Sequence, residues 1–290
     1  MEVQLPPLKR ILAVHDLSGV GKCSLTVALP VISAAGVECT CMPTAVLSTH
    51  SGEFVGFTKC DLSKELLPMA RHWLREGIRF DGIYSGYLAT PAQEALLEEV
   101  IELLAGPDTL LIVDPVMADN GKYYAGFDHE MRDAFRRLCA RADVITPNLT
   151  EAALLAGIPY RPGDSGRSCA ETLLHALAEL GAGTVALTGV HLQENEVGNA
   201  ALDTRTGTLH FAMRPIRPGM FYGTGDLFAS ALAALLVRGA AMPQALDIAT
   251  ALVDESIARS VIRGGDRRLG VDFEGTLPGF IHRVGELFPE

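Results

Sequence analysis

The chain has 290 residues and a net charge of −11, and 48% of its residues are hydrophobic while only 6% are aromatic. This composition is typical of a folded protein with a large aliphatic core, and it excludes a disordered chain. An acidic chain is not expected to bind nucleic acid or an anionic membrane, since both need a basic face. A site for an anionic ligand would therefore have to create its own local positive potential.

The sequence contains neither a membrane span nor a secretory pattern. No stretch reaches the roughly 18 apolar residues of a transmembrane helix, and the amino terminus lacks a basic segment followed by an apolar one. The six cysteines include no C-x-x-C pair, which favours free thiols over disulfides or zinc ligands. We therefore expect a cytoplasmic protein.

Short apolar runs alternate with helical patterns along the chain. Strands are predicted over 11–14, 37–46, 82–85, 109–113, 143–146 and 185–188. Helices are predicted over 23–36, 62–76, 128–140 and 169–180. Two more helices are predicted to begin at Pro91 and within 147–150. A polar turn is expected directly after the first strand, and Pro30 is expected to kink or break the first helix. Residues 161–166 form a predicted loop.

The last third of the chain changes pattern. An antiparallel hairpin is predicted near residues 197–214, and two long apolar helices follow, one after Gly225 and one over 243–261. Strand–helix alternation with short apolar strands predicts an α/β fold, a doubly wound and mostly parallel sheet with helices on both faces. We expect residues 1–290 to form one domain. Ligands of such sheets bind at the carboxyl ends of the strands.

Two familiar nucleotide motifs are only partly matched after the first strand. A P-loop would need Gly where Asp16 stands and a hydroxyl where Cys23 stands. A dinucleotide fingerprint fits better, with Gly19, Gly21 and Ser24 before a helix, and it keeps an NAD-binding Rossmann oxidoreductase as a remote alternative. Lys22 is expected on the first helix, facing solvent.

The strongest chemical signal is Gly223-Thr224-Gly225-Asp226 at the start of a long apolar helix. Glycines let successive N–H groups converge at the helix N-terminus, where amides lack helical partners and the dipole is positive. This arrangement makes an anion site without a basic side chain. Asp226 is either a simple helix cap or a base that accepts a proton from an attacking hydroxyl.

This motif resembles the ribokinase-like superfamily of small-molecule kinases. Two further segments resemble vitamin kinases in the same order, Asp114-Pro115-Val116 with Asp119 and Gly121, and Thr146-Pro147-Asn148 with Glu151. Within the superfamily, 47–52 and 85–87 resemble the pyridoxal/pyridoxamine kinases. The resemblance implies ATP-dependent phosphorylation of the 5′-hydroxymethyl group of pyridoxal, pyridoxine or pyridoxamine.

The resemblance also implies roles for individual residues. Asp226 would be the general base, and Gly223, Thr224 and Gly225 would hold the γ-phosphate. The ATP-binding residues would be Asp114, Asn148, Glu151, Thr188 and Gly189. Magnesium would be held by Asp114, Asp119 and Glu151. The alternative explanations are a helix cap for Asn148 and, for Glu151, a first-turn acid favoured by the helix dipole. The vitamer would be bound by Asp16, Ser18, Ser51 and Tyr87, although Tyr87 is equally well explained as a core residue.

The resemblance further implies ATP and Mg²⁺, with a monovalent cation as an additional candidate, and a homodimer as the assembly. Glu53 stands where the family has an aromatic residue, and the loop after the first strand is shorter, so both changes bear on vitamer preference. Hydroxymethylpyrimidine kinase is the main alternative, but its usual Gln-Asn pair is Thr49-His50 here. A non-catalytic sensor on a kinase fold is a further alternative.

Overall fold

The computed structural model describes residues 7–289 except 162 and 164, so part of the predicted loop 161–166 lies outside the described residues. The strands are β1 (Arg10–Ser18), β2 (Glu38–Leu47), β3 (Lys59–Asp61), β4 (Gly82–Ser85), β5 (Leu110–Val113), β6 (Ala118–Asp119), β7 (Lys122–Tyr123), β8 (Val144–Ile145), β9 (Thr184–Val190), β10 (Glu196–Asp203) and β11 (Thr208–Pro215). The helices are α1 (Leu25–Ala34), α2 (Ser63–Arg75), α3 (Gln93–Leu104), α4 (His129–Arg141), α5 (Leu149–Ala156), α6 (Arg167–Ala178), α7 (Thr224–Val237), α8 (Met242–Arg263) and α9 (Leu277–Leu287).

Within the described residues, nine strands form one sheet in the order β11-β10-β9-β8-β5-β4-β1-β2-β3. The six strands from β9 to β2 in this order pair in parallel, and the antiparallel pairs lie at the two edges. One apolar layer packs α2 to α6 against one face of the sheet, and a second packs α1, α7, α8 and α9 against the other. The predicted doubly wound fold and its small hairpin are confirmed.

The polar end of the first strand differs from the prediction. β1 continues through Ser18, where a turn was expected, and it stays paired with β2 as far as Ser18 and Leu47 across a bulge. His15 and Ser18 are fully buried and Asp16 is 3% exposed. Buried polar side chains therefore lie at the carboxyl end of β1. A prediction based on apolar runs ends the strand before these residues.

Other local predictions need correction. α1 runs through Pro30 without a break, although proline at this sixth position lacks the amide that would donate to the Thr26 carbonyl. Lys22 precedes α1, and its ammonium donates to the Val271 carbonyl at 2.9 Å and to Glu274 at 2.7 Å, so it does not face solvent freely. β3 and α9 were not predicted.

No helix in the described part of the chain is long and apolar enough to cross a membrane. Cys23, Cys39, Cys41, Cys60 and Cys139 form no disulfide in the structure.

Candidate active site

The carboxyl ends of three neighbouring parallel strands, β4, β5 and β8, carry polar residues. Backbone bonds continue the ladder past the strands, from Asp114 N–H to the Ser85 carbonyl at 2.8 Å and from Thr146 N–H to the Val113 carbonyl at 3.1 Å. Because side chains alternate across a sheet, Asp114 and Thr146 point to the face covered by α7. Asp226, at the start of α7, interacts electrostatically with Asp114. The structure therefore brings together two of the predicted motifs.

The glycine turn before α7 has the geometry that its sequence predicts. Gly223 adopts a left-handed conformation with φ 77°, and no side chain caps the helix. The first helical amide bond is that of Leu227, which donates to the Gly223 carbonyl at 2.9 Å. A Cβ atom at position 223 would overlap the Lys22 carbonyl oxygen, so glycine is required here for two reasons. The amides of Thr224 and Gly225 are thereby left at an open, positive helix end.

The Asp226 carboxyl lies at this helix end and is only partly exposed. Burial raises its pKa from the ordinary 3.8 to about 7, a hydrogen bond from the Ser24 backbone opposes the rise, and the charge of Asp16 adds to it. A carboxylate that titrates near neutrality is suited to accept a proton from a hydroxyl, because it is ionised at working pH yet basic.

Asn148 and Glu151 form a capping box at the start of α5. The Asn148 side chain accepts from the Glu151 amide, and the Glu151 side chain accepts from the Asn148 amide, both at 2.9 Å. The second Glu151 oxygen accepts from the Met117 amide at 3.0 Å. Asn148 and Glu151 therefore do cap the helix, as one of the two explanations predicted. Any role of these residues in binding is additional to the capping.

Asp114 is the acid at this edge that most needs a cation. It is 6% exposed, and burial together with the charges of Glu151 and Asp226 raises its pKa well above the ordinary range, while the Thr146 hydroxyl opposes the rise. A buried carboxylate with acidic neighbours fits Mg²⁺, which keeps several waters and phosphate oxygens and needs few protein ligands.

The three predicted metal ligands do not form one cluster. No group of three histidine, cysteine or acidic residues in the described part of the chain is placed to hold a metal ion. Asp119 is exposed on the β6–β7 hairpin, and its carboxylate accepts from the Asn120 amide at 2.8 Å. The donor set therefore fits a metal that arrives with phosphate, held chiefly by Asp114, and does not form a closed protein cage.

Thr188 and Gly189 lie beside this group, at the end of β9. Thr188 pairs with Asn148 in an isolated parallel bridge, and its amide donates to the Pro147 carbonyl at 2.9 Å. Gly189 has φ 76° and open space around it. Thr188 and Gly189 thus lie near the carboxyl end of a strand, as the sequence predicted, and Asp114 follows the carboxyl end of another strand of the same sheet.

Among the predicted vitamer-binding residues, Asp16 at the end of β1 interacts electrostatically with Asp226. Ser18 donates to Asp16 at 2.8 Å, and because Ser18 is fully buried it reaches a ligand only through Asp16. Tyr87 is half-buried and its ring lies 5.5 Å from that of Phe127. Ser51 is in the loop 48–58 and is also half-buried.

Residues 48–58 form a loop whose contacts with the segment after α8 were not predicted from the sequence. The His50 Nε2 atom lies 2.6 Å from the Arg268 carbonyl oxygen, and Nδ1 accepts from the Gly52 amide at 3.1 Å. Glu53 pairs with Arg267 at 2.7 Å. Arg268 and Arg267 are more than 200 residues from His50 and Glu53 in sequence, so no local pattern indicates these two contacts. Glu53 thus holds this loop to the segment after α8.

Tyr124 was also missed. Burial and the charges of Glu151, Asp119, Asp114 and Asp226 raise its pKa well above the ordinary range, which places its hydroxyl among the acids of the site. In the sequence, Tyr124 is marked only by its position shortly after Asp114 and Asp119.

Gly86 yields a first test of the site's packing. A Cβ atom there would overlap the imidazole of His15, which is fully buried. We expect Gly86→Ala to displace Tyr87 or His15, raise the KM for the substrate several-fold and lower the melting temperature. Gly106→Ala is the matched control, because only one side-chain atom lies within 4 Å of its Cβ. Unchanged KM and stability in Gly86→Ala would refute this packing.

Known proteins match the chain over most of its length. The sequence profile of the phosphomethylpyrimidine kinase family matches residues 27–269. A candidate phosphomethylpyrimidine kinase from Bacteroides thetaiotaomicron, crystallised with pyridoxal, is 36% identical with a TM-score of 0.89, over 94% of this chain and 96% of that one. The pyridoxal kinase from Lactobacillus plantarum is 34% identical with a TM-score of 0.87, over 97% and 99%.

A more distant structure shares the fold. The pyridoxal kinase from Leishmania donovani, solved with ADP and pyridoxamine, has a TM-score of 0.80 and 22% identity, over 94% of this chain and 96% of that one. The resemblance to ribokinase-like vitamin kinases is confirmed, and the protein is a kinase. The chain belongs to the phosphomethylpyrimidine kinase family.

Proposed function

We propose that the protein phosphorylates the 5′-hydroxymethyl group of a B6 vitamer (pyridoxal, pyridoxine or pyridoxamine) with ATP. The observation that carries this proposal is the Asp226 carboxyl, whose pKa is raised to about 7, at the uncapped N-terminus of α7. The relative crystallised with pyridoxal supports the substrate. The Leishmania kinase, solved with ADP, supports ATP as the phosphate donor.

In this proposal Asp226 takes the proton of the substrate hydroxyl while the oxygen attacks the γ-phosphorus in line. The amides of the turn formed by Gly223, Thr224 and Gly225 hold the γ-phosphate, so its charge is stabilised without a basic side chain. Asn148, Thr188 and Gly189 contact the remaining phosphate oxygens directly in this proposal. The carboxylates of Asp114 and Glu151 would repel those oxygens, so they would take part in ATP binding through the metal ion that they would hold. When bound, Mg²⁺ neutralises charge on the phosphates.

The vitamer lies on the opposite side of Asp226 in this proposal. Asp16, supported by Ser18, meets the ring nitrogen, and the Ser51 hydroxyl binds a ring substituent. Tyr87 packs against the ring face.

The metal ligands can be tested one at a time. We expect Asp114→Asn to raise the Mg²⁺ concentration for half-maximal rate about tenfold or more, because a buried oxygen ligand loses its charge. Asp119→Asn is the matched comparison, and since its carboxylate is exposed we expect a shift of about threefold or less. The measurement is the initial rate over a Mg²⁺ titration at saturating ATP. Equal shifts in the two variants would contradict the assignment of Asp114 as the main ligand.

A second candidate activity is phosphorylation of hydroxymethylpyrimidine or its phosphate, which the description of the matched family favours. ADP release measured with pyridoxal, pyridoxine, pyridoxamine and hydroxymethylpyrimidine separates the two. We expect the three vitamers to give the higher kcat/KM. Preference for the pyrimidine would replace the proposed substrate, and stimulation by none of the four would refute both activities.

The remaining predictions concern the whole molecule. We propose one domain over residues 1–290, a homodimer, and a cytoplasmic enzyme whose rate responds to a monovalent cation. Sedimentation of the purified chain tests the dimer, and rates in potassium against a bulky organic cation test the ion requirement.

A further inference from the structure

Cys39 and Cys41 form a pair of thiols in the first half of β2, whereas the candidate active site lies at the carboxyl ends of the strands. They occupy alternate positions, opposite Ile11 and Ala13 of β1, and alternate side chains of a strand point to the same face. The two thiols are hydrogen-bonded to each other. Both side chains are half-buried and pack against the apolar layer that contains α1. None of the proposed catalytic contacts uses this pair.

The pair can be reached from the open edge of the sheet. β3 is the outermost strand beside β2, but it pairs only with residues 45–47 of that strand. Among the described residues, therefore, no strand covers the outer edge of β2 beside 39–43. Cys139, by contrast, is fully buried in the other apolar layer. A small reagent in the solvent can thus approach the pair on β2, which full burial would prevent.

The contact between the two thiols makes one of them the better nucleophile. The hydrogen bond from Cys39 lowers the pKa of Cys41 to about 7, although burial opposes this effect. The same contact, together with burial, raises the pKa of Cys39 above its ordinary value, so Cys39 keeps its proton and donates it. The thiolate is the reactive form of cysteine. About half of Cys41 is therefore in its reactive form near pH 7.

The other charged and titratable groups around the pair do not produce this effect. Glu38, at the start of β2, is negative and is paired with Arg10 of β1 at 2.8 Å. Tyr84 of β4 faces the same apolar layer, and the charge of Cys39 raises its pKa, so its phenol stays neutral. α1 contains no charged side chain, and α2 lies on the other face of the sheet. The reactivity of Cys41 therefore depends on its partner thiol.

We propose that Cys39 and Cys41 form a site of reversible oxidation, in which a hydroperoxide oxidises Cys41 and Cys39 then closes a disulfide with it. In the first step the Cys41 sulfur attacks one oxygen of the peroxide, the O–O bond breaks, and hydroxide leaves. The sulfur is oxidised to a sulfenic acid and the peroxide is reduced. In the second step the Cys39 sulfur attacks the sulfenic sulfur, the S–O bond breaks, and the hydroxyl group leaves with the Cys39 proton as water.

This disulfide is strained and is therefore easily reduced. Alternate residues of an extended strand are about 6.6 Å apart, whereas the two Cβ atoms of a disulfide lie about 3.5–4.5 Å apart. β2 has to bend to close the bond, and strained disulfides are the labile ones. β2 ends at Leu47, whose carbonyl accepts from the Gly19 amide at 2.8 Å, and it leads into the loop 48–58 with Ser51. We expect oxidation to lower the rate with a B6 vitamer several-fold, and this expectation alone rests on the proposed function.

The experiment treats folded wild type and variants with hydrogen peroxide and follows intact mass, with peptide mapping of the cysteines. In wild type we expect the loss of two hydrogen atoms, about 2 Da, mapped to Cys39 and Cys41 and reversed by dithiothreitol. Cys41→Ser should not form this disulfide. Cys39→Ser keeps a hydrogen-bond donor and should stop at the sulfenic acid, which dimedone traps. Cys39→Ala lacks the donor, so its Cys41 should also react about threefold more slowly or worse. Cys60→Ser, at an exposed thiol, is the matched control and should behave as wild type.

Three results would overturn the inference: no disulfide between Cys39 and Cys41 in wild type, oxidation that maps first to Cys60, or equal rates of Cys41 oxidation in Cys39→Ala and wild type. The mapping on wild type decides the matter if a variant fails to fold. An unchanged phosphorylation rate after complete disulfide formation would refute the link to the loop 48–58. Failure of the proposed function is distinguishable, because the mass measurement needs no substrate and the reduced protein would then phosphorylate no B6 vitamer.

Discussion

The Asp226→Asn variant is expected to phosphorylate a B6 vitamer about 10²–10⁴ times more slowly than wild type, since it lacks the base that accepts the hydroxyl proton. The loss should lie in kcat, with little change in KM, because the substrate ring and the phosphates are bound by other groups. In wild type, kcat should fall as the pH drops below about 7, where Asp226 becomes protonated. Initial rates at saturating substrates across pH measure both effects.

The same variant should be more stable than wild type at pH 8. The pKa of Asp226 is 3.8 in its ordinary state and about 7 in the fold, so between these values the folded state binds a proton that the unfolded state releases. The free energy of unfolding therefore falls as the pH rises through this window. Asparagine resembles the protonated form, so we expect a higher melting temperature at pH 8 and little difference at pH 4.

The matched control is Asp108→Asn, an identical substitution at an exposed position, which should change neither the rate nor the stability. A rate for Asp226→Asn close to that of wild type would refute the general-base assignment. Lower stability of the variant at pH 8 would show instead that the carboxylate is well compensated in the fold.

Gly223→Ala is expected to have the second large effect. The backbone at 223 is left-handed, and a Cβ atom would overlap the carbonyl oxygen of Lys22, so the turn must move. Left-handed strain alone costs on the order of 1–3 kcal/mol, and the overlap adds to it. We expect a lower melting temperature together with loss of nearly all phosphoryl transfer, because the amides at the start of α7 lose their alignment.

Two further glycines separate strain from chemistry. Gly285→Ala places a Cβ in open space on α9, so it should leave the rate unchanged and raise the stability slightly, since alanine favours a helix over glycine. Gly225→Ala also meets no atom within 4 Å, but it crowds the proposed phosphate, so we expect normal stability with a raised KM for ATP. Normal activity in Gly223→Ala would contradict the role of this turn as the anion site.

The acidic net charge is consistent with this way of binding phosphate. Lys22, beside the glycine turn in space, is engaged by Glu274 and the Val271 carbonyl. The amides at the start of α7 therefore supply the positive potential, and the buried acid Asp114 needs a metal cation. Some of the negative charge of the chain is thus part of the proposed phosphate site.

Features encoded within a few neighbouring residues could be predicted from the sequence. The turn at Gly223 follows from glycine before an apolar helix, and the capping box of Asn148 and Glu151 follows from their spacing. The parallel sheet follows from apolar strands that alternate with helices. In each case the residues that determine the structure are close together in the chain.

Features that depend on distant partners could not be predicted. β1 extends through Asp16 and Ser18 because β2 and the site bury them, whereas their polarity favoured a turn. α9 begins at Leu277 with proline and glycine in its first turn, and these residues do not favour a helix in a sequence pattern. The helix forms because Phe280 and Val284 are buried against other elements. His50 and Tyr124 owe their surroundings to segments that only the fold brings near.

The most direct test of the account is to incubate pyridoxine, ATP and Mg²⁺ with wild type and with Asp226→Asn, and to identify the product by mass spectrometry and phosphorus NMR. We predict that wild type forms pyridoxine carrying one phosphate on the 5′-hydroxymethyl oxygen, with one ADP per product, and that the folded variant forms almost none. ATP consumption by wild type without this product, or equal product from both proteins, would contradict the account.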